Sequence, residues 1–364
     1  MTLPTLSDEQ TAAYDAICNW IEHGHEQTFW LTGYAGTGKT TLATAIAKNH
    51  RVAFGAFTGK ATQVLRAKLH ARQIEAPCGT LHSHIYTHQF DDQYGRPIFR
   101  RKSKDECAFG PGNVLIVDEC SMIGRELMED LLFFGAKILA IGDPGQLPPV
   151  GDDCWFTGRP DFHLSTIHRQ ALENPIIRAS MEIREHGSFE AAPGFIDKIG
   201  SRNIPDEYLL ESDQVLCGTN KMRTQVNRWF RESASIAAPL PIEGEKVVCL
   251  KNNHNIGVFN GGVHLCSAPA TPKTLTTVEL PIEVDGKTET LICDRAHFGS
   301  EKPTPTSHDS FDFGYCLTVH KSQGSEWPSI LLIDDMQFVK DRDQRKKWLY
   351  TAVTRASERV VVAA

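Results

Sequence analysis

Gly33-Tyr34-Ala35-Gly36-Thr37-Gly38-Lys39-Thr40 fits the spacing G-x-x-x-x-G-K-[ST] at every fixed position. That spacing serves to cradle a nucleoside triphosphate. Glycines let main-chain N–H groups close round phosphate oxygens, Lys39 brings a cation to the β- and γ-phosphates, and Thr40 offers a hydroxyl to Mg²⁺. Downstream, Val117-Asp118-Glu119 ends an apolar run. Adjacent carboxylates there suit a hydrolytic site, Asp118 holding Mg²⁺ and Glu119 orienting and deprotonating the attacking water. Asp-Glu after a strand is by itself usually a solvated turn; the upstream P-loop makes the catalytic reading the stronger one. Gln146, in Gly142-Asp143-Pro144-Gly145-Gln146, is a neutral group that can sense a γ-phosphate without competing for the metal.

The elements that must position these residues are legible around them. Thr28–Leu31 reads as a buried strand into the loop and Thr41–Lys48 as a helix out of it, with the helix N-terminus facing the anion. A helix over Asp8–Glu22 precedes them, with Ser7 and Gln10 in capping-box spacing. A strand at Val52–Phe57, a helix from Lys60 to about Gln73, and apolar runs at Val114–Val117 and Ile138–Ile141 complete an alternating pattern over residues 1–155. Continuous apolar runs are expected of parallel strands covered on both faces, so the pattern predicts a doubly wound α/β domain with its ligand at the strand carboxyl ends. Residues 85–106 interrupt it. Tyr86–Phe90 and Ile98–Arg101 flank a turn-rich Asp91–Pro97, which predicts a protruding β-hairpin. A second α/β pattern covers 156–243 and 311–364, with strands at Gln214–Cys217, Ile330–Ile333 and Val360–Val362 and a helix at Lys221–Glu232. Between its halves, residues 244–310 read as all-β. Val278, Leu280, Ile282 and Val284 alternate with polar residues before Asp285-Gly286, and the segment predicts a small inserted barrel.

At 364 residues more than one core is required. No apolar run is long enough to span a membrane, and the N-terminus lacks the basic-then-apolar order of a signal peptide. Ten cysteines without a C-x-x-C pair point to a reducing cytoplasm, bacterial or phage-infected, rather than a disulfide or zinc framework. A net charge of −7 argues against bulk electrostatic coating of nucleic acid but leaves room for a local basic groove. Arg96, Arg100, Arg101, Lys102 and Lys104 form one basic run, for which a solvated loop is the competing reading.

Taken together the motifs resemble the superfamily 1B helicases of the RecD/Dda-like group, in family order over nearly the whole chain. Gln10 resembles the adenine-reading Q motif, Gly33–Thr40 motif I, Asp118-Glu119 motif II and Gly142–Gln146 motif III. Ile167-His168-Arg169-Gln170 resembles motif IV, Leu317–Glu326 motif V and Tyr350–Ala356 motif VI. The resemblance implies an α/β fold of two RecA-like P-loop domains in tandem, with the hairpin as a duplex-splitting pin and the insertion as an SH3-like barrel. It implies an ATP site formed by Gln10, Gly33, Gly36, Thr37, Gly38, Lys39, Thr40, Thr41 and Glu326, with Mg²⁺ on Thr40 and Asp118. Lys39, Glu119, Gln146, Arg169 and Arg355 would be catalytic, Arg169 on the γ-phosphate and Arg355 as the arginine finger, a device worth roughly 10³–10⁵ in rate.

The resemblance also lays a track for single-stranded DNA along Thr58, Lys60, Thr80, His82, Thr318 and His320. Such groups suit phosphate contacts, which position a strand without reading its bases, although Thr58 also suits a helix cap and His82 a core position. Tyr94 or Phe99 would stack on the last base pair, with Arg100 and Arg101 on phosphates. The implied activity is ATP-dependent 5′–3′ translocation and unwinding at single-strand/duplex junctions by a monomer. Single-strand binding protein and replication or recombination proteins are candidate partners, and no membrane is involved. No nuclease domain or extended N-terminal region is evident, so a minimal motor is expected. Two alternatives stay open: a superfamily 1 RNA helicase, and a nucleic-acid-binding module that uses ATP as a switch.

Overall fold

The computed structural model describes residues 6–90, 97–148, 154–202, 204–253, 256, 258, 260–284, 286–304 and 306–364. It divides into two compact units, Met1–Arg178 and Ala179–Ala364.

The first unit runs α1 (Asp8–His23), β1 (Thr28–Gly33), α2 (Lys39–Asn49), β2 (Val52–Ala56), α3 (Gly59–Ala71), β3 (Cys78–Thr80), α4 (Leu81–Ile85), β4 (Tyr86–Phe90), β5 (Pro97–Arg101), β6 (Val114–Asp118), α5 (Arg125–Leu132), β7 (Lys137–Gly142), β8 (Phe162–Leu164) and α6 (Arg169–Leu172); α7 (Pro175–His186) crosses the boundary. Six strands form one sheet in the order β3-β2-β6-β7-β1-β8, every pairing parallel. The apolar runs are buried on both faces because successive side chains point to opposite sides. Phe54, Ile116, Leu139 and Ile141 meet α1, α2 and α3 through Ile17, Leu42 and Leu65. Ala53, Leu115, Val117, Ile138 and Ala140 meet α4 and α5 through Leu81, Met128 and Leu131. The capping box that opens α1 is formed: Ser7 Oγ accepts from Gln10 N, and Gln10 Oε1 accepts from Ser7 N.

The hairpin strands form as expected, β4 and β5 pairing antiparallel from Tyr86↔Arg101 to Phe90↔Pro97. The change of domain expected at residue 155 is corrected. β8 pairs with β1 through Leu31↔Phe162 and Gly33↔Leu164, so the first sheet takes one more parallel strand and its unit extends to Arg178. Gly158, at φ +93°, lies in the bend that precedes β8.

The second unit contains β9 (Ile196–Ile199), α8 (Asp206–Glu211), β10 (Gln214–Cys217), α9 (Asn220–Ser233), β11 (Lys246–Cys249), β12 (Val263–Leu265), β13 (Thr271–Pro272), β14 (Thr277–Val284), β15 (Lys287–Asp294), β16 (Phe311–Phe313), β17 (Cys316–Thr318), β18 (Trp327–Ile333), α10 (Arg342–Val353) and β19 (Ala356–Ala363). Its parallel sheet has the order β17-β10-β18-β19-β9. The segment between β10 and β17 forms two three-stranded antiparallel sheets, β12-β11-β16 and β13-β14-β15. They share one apolar core that includes Val247, Cys249 and Phe311 from one sheet and Val278, Leu280, Ile282 and Cys293 from the other. Phe311–Phe313, read from sequence as the return to the α/β pattern, pairs with β11 and so belongs to this insertion. Val284 pairs with Lys287, leaving a two-residue link of which Asp285 lies outside the described residues.

Candidate nucleotide-binding site

The P-loop lies where β1 ends and α2 begins, and its glycines are there for shape. Gly36 and Gly38 both have φ +81°, a left-handed conformation that side chains rarely adopt. A Cβ on Gly38 would lie 2.1 Å from Gln10 Nε2 and 3.1 Å from His168 Nε2; one on Gly36 would lie 2.8 Å from Ala171 Cβ. The loop is therefore walled by α1 on one side and by residues 167–171 on the other. Gln10, only 3 % exposed, donates from Nε2 to the Thr37 carbonyl at 3.2 Å. His168 N donates to the Gly36 carbonyl at 3.2 Å. Thr37 Oγ1 donates to the Tyr34 carbonyl at 2.9 Å.

Lys39 opens α2, and its ammonium is held within the loop. It donates to the carbonyls of Gly33 at 2.6 Å and Tyr34 at 2.9 Å, and lies 3.8 Å from Asp143 Oδ2. Thr40 and Thr41 follow, half-buried, in the first turn. Because β1, β6 and β7 are adjacent and parallel, the P-loop, Asp118-Glu119 and Asp143–Gln146 share one carboxyl edge of the sheet. Glu119 has φ +54° and ψ +49°. For a non-glycine residue this conformation costs roughly 1–2 kcal/mol, strain of the sort that concentrates at working sites. The turn is held by Glu119 N donating to Asp118 Oδ1 at 3.0 Å. The left-handed glycines leave the loop's main chain free of side chains for a phosphate chain, and two buried polar atoms at this edge have no hydrogen-bond partner among the described residues, the acceptor Gln146 Oε1 and the ring nitrogen His168 Nε2.

Asp143, Glu9 and His168 were not among the expected site residues. Asp143 is signalled by its place in motif III and His168 by its place beside Arg169; Glu9 has no sequence signal. The Glu9 carboxylate accepts from Ser165 N at 2.9 Å, Ser165 Oγ at 2.7 Å and Thr166 N at 2.9 Å. Burial would raise its pKa, but these hydrogen bonds outweigh it and hold the value at about 2. Cys120, beside Glu119, is buried, and that burial pushes its thiol well up, leaving it protonated and inert.

In the second unit Arg355 is buried. Nε donates to Thr351 O at 3.1 Å, Nη1 to Ser325 O at 3.2 Å and Nη2 to Thr354 Oγ1 at 3.3 Å. Glu326, next to Ser325 in sequence, is exposed. Tyr94 and the side chains of Phe99 and Arg169 lie outside the described residues.

Three of the expected DNA-track residues are caps. Thr58 accepts from Ala61 N at 3.1 Å, Thr80 from Ser83 N at 3.1 Å, and Thr318 from Lys321 N at 3.4 Å. Lys60 is half-buried in the first turn of α3. His82 packs against Phe57 and Tyr86, and burial lowers the pKa of both His82 and His320, favouring neutral rings. Arg100 is exposed. Arg101 is engaged at the hairpin base, pairing with Asp130 and lying 3.8 Å over the Phe133 ring.

Comparison with known proteins agrees with this geometry. The family model described as AAA domain matches residues 5–200, over half of the chain, and that of the UvrD-like helicase C-terminal domain matches residues 313–363. The ATP-dependent RecD2 DNA helicase of Deinococcus radiodurans is 27 % identical over 387 residues, spanning 97 % of this chain and 48 % of the relative. The conjugal transfer protein TraA of Agrobacterium fabrum is 24 % identical over 398 residues, 97 % of this chain and 32 % of its own. The chain thus spans from about a third to about half of the length of these curated relatives. Among solved structures, a Pif1 helicase studied in DNA unwinding at forked dsDNA superposes with a TM-score of 0.58 at 18 % identity, over 99 % of this chain and 92 % of that one. The Bacteroides Pif1 helicase in complex with ADP-AlF3 and ssDNA gives 0.57 at 18 %, over 100 % and 93 %. At that identity the likeness speaks for the fold, an α/β fold with parallel sheets. With a P-loop unit matching the AAA domain, a UvrD-like C-terminal part and the motif order above, the chain belongs to the AAA-domain P-loop family, among its RecD-like superfamily 1B helicases.

Proposed function

We propose that the chain is an ATP-hydrolysing DNA helicase that moves 5′ to 3′ on single-stranded DNA and opens duplex at the Tyr86–Arg101 hairpin. The observation that carries this reading is the shared sheet edge, where Lys39, Asp143 and the strained Asp118-Glu119 turn meet the glycine cradle. Lys39 neutralises phosphate charge there, exchanging its hydrogen bonds to Gly33 and Tyr34 for phosphate oxygens. Gln10 holds the loop from the α1 side and positions it for a nucleotide base. Glu119 orients the attacking water and takes its proton, and Gln146 senses the γ-phosphate. Thr40 and Asp118 are the residues that would hold Mg²⁺, which supplies charge neutralisation on the transferring phosphoryl group. Arg355 and Arg169 complete the stabilisation of that charge; the three hydrogen bonds of Arg355 orient its guanidinium. On this reading Thr58, Lys60, Thr80 and His82 of the first unit, and Thr318 and His320 of the second, are the strand's polar contacts; the capping bonds of the three threonines fix their side chains locally.

The direction rests on the family. The relatives support DNA as the track: RecD2 is described as an ATP-dependent DNA helicase, and the Pif1 structures concern ssDNA and forked dsDNA. The alternatives are an RNA helicase and an ATP-switched binding module. The deciding experiment is unwinding of duplexes carrying either a 5′ or a 3′ tail, with ATPase stimulation by DNA and RNA of equal sequence measured alongside. Unwinding of the 5′-tailed duplex alone, with stronger stimulation by DNA, is expected. Unwinding from the 3′ tail overturns the direction, preference for RNA overturns the substrate, and absence of phosphate release with nucleic acid present supports the switch.

A further inference from the structure

Two neighbouring side chains in the first turn of α1 hold two different walls of the nucleotide corner. Gln10 is buried and donates from Nε2 to the Thr37 carbonyl of the glycine loop at 3.2 Å. Glu9, one residue earlier, holds the chain that leaves β8. Its Oε1 accepts from Ser165 N at 2.9 Å and from Ser165 Oγ at 2.7 Å, and its Oε2 accepts from Thr166 N at 2.9 Å. The turn that carries both residues is itself fixed by the Ser7 cap, whose Oγ accepts from Gln10 N.

Residues 165–168 depend on this carboxylate because they have left the sheet. The pairing of β8 with β1 ends at Gly33↔Leu164, and the next two main-chain N–H groups find their acceptor in Glu9. Two residues on, His168 N donates to the Gly36 carbonyl at 3.2 Å, and the His168 carbonyl accepts from Ala171 N at 2.8 Å and Leu172 N at 3.0 Å. α6 therefore opens at Arg169 from a fixed point on the glycine loop. The two pieces are in close contact: a Cβ on Gly36 would lie 2.8 Å from Ala171 Cβ and 3.2 Å from Ile167 Cγ2. Hydrogen bonds to an ionised carboxylate are about twice as strong as those between neutral groups, and Glu9, with its pKa held at about 2, is ionised at neutral pH.

We infer that Glu9 is a positioning residue for phosphoryl transfer: by holding residues 165 and 166 it sets where α6 begins, and so where Arg169 is presented to the γ-phosphate. This rests on the hydrolytic reading above, which gives Arg169 that role. Glu9 touches no reacting atom. Its loss lets the segment shift while the glycine loop keeps Gln10 and its own backbone shape, so the rate of transfer falls and nucleotide binding stays. A displacement of about 1 Å in a group that positions the reaction can cost on the order of 10²-fold in rate.

The test uses the full chain as wild type, Glu9→Gln, Ser165→Ala, the double variant, and Asp8→Asn, which removes an exposed charge from the same helical turn. DNA-stimulated phosphate release gives kcat and KM for ATP, equilibrium fluorescence gives the affinity for a labelled ADP, and melting temperature checks the fold. Glu9→Gln is expected to lower kcat roughly tenfold with KM and ADP affinity within about twofold of wild type, the pattern of an interaction expressed in the transition state. Asp8→Asn should match wild type in all three. Ser165→Ala, which deletes one of the three hydrogen bonds, should lower kcat by roughly threefold, and by less when Glu9 is already Gln, since the two act as one unit. A kcat equal to wild type in folded Glu9→Gln, or a change confined to KM and ADP affinity, overturns the inference, as do effects of Glu9→Gln and Ser165→Ala that simply multiply. If Glu9→Gln melts below the assay temperature, Ser165→Ala decides: reduced kcat at unchanged KM supports the clasp, and wild-type kinetics overturns it. A wild type that releases no phosphate with DNA present removes the hydrolytic reading and this role of Glu9 with it, whereas failure among the variants alone leaves that reading standing.

Discussion

The P-loop corner and the base of the hairpin lie in the same unit and are built on opposite principles. At the P-loop the backbone is the ligand. Two left-handed glycines and a helix start shape it, and the side chains that steady it, Gln10 and His168, bond to its own carbonyl groups or lie against them. At the hairpin base one carboxylate ties both strands to α5. Asp130 accepts from the Tyr86 hydroxyl of β4 and from the Arg101 guanidinium of β5, and Phe133 lies beneath Arg101. Lys102 adds a bond from its N to the Ile85 carbonyl and another from Nζ to that of Ser83, each at 2.8 Å. A site made by the backbone depends on local spacing; a site made by a distant carboxylate depends on the whole sheet being in place.

Breaking the first region has the largest expected effect. Lys39→Ala removes the charge held between Gly33, Tyr34 and Asp143 and is expected to lower DNA-stimulated phosphate release by roughly 10²–10³, the scale for losing one transition-state donor. Steady-state ATPase assays check it, and an unchanged rate would remove Lys39 from the site. Glu119→Gln sharpens the same point, since it keeps the left-handed turn and the shape of the side chain but deletes the base. Nucleotide binding by equilibrium fluorescence should persist while turnover stops; a variant that still turns over would remove Glu119 from its role.

The contrast also explains what was readable beforehand. The P-loop, the capping box at Ser7 and Gln10, and the alternation of Val278, Leu280, Ile282 and Val284 are local patterns, and the structure forms each of them. The left-handed turn at Glu119 was not readable, because a strained backbone has no composition signal. Nor was the membership of β8 in the first sheet, which depends on a parallel partner more than a hundred residues earlier. Asp130 on α5 and Asp312 on β16 had no local signal either. Their worth lies in Tyr86, Arg101 and Arg223, none of them near in sequence.

Breaking the second region should separate unwinding from hydrolysis. Asp130→Ala removes the acceptor for Tyr86 and Arg101, a loss of about 1–2 kcal/mol once solvent screening of the partly exposed arginine is allowed for. The hairpin strands remain paired with each other, but their seat on α5 loosens. The expected result is ATPase stimulation close to wild type with duplex unwinding reduced by roughly tenfold, the equivalent of 1.4 kcal/mol. A parallel fall in both activities would mean that Asp130 serves only the stability of the unit, and the hairpin would lose its special place.

The smallest effect tests whether the P-loop corner is as self-contained as the comparison makes it. Glu9, on α1, clasps Ser165 and Thr166, and two residues later His168 bonds to the Gly36 carbonyl. One wall of the glycine loop is thus set by a carboxylate 156 residues from the group it binds. The folded pKa of Glu9, about 2, lies below the ordinary value of 4.5. Its contribution is therefore complete above pH 4.5 and is lost as pH falls through that value toward 2. Glu9→Gln should be less stable than wild type at neutral pH in urea unfolding, and the gap should narrow steadily as pH is lowered from 5 toward 3, since the wild-type advantage is that of the charged form. A gap that stays constant over that range would mean that shape rather than charge holds Ser165 and Thr166. The corner would then owe nothing to a remote ionised group, and the contrast with Asp130 would be complete.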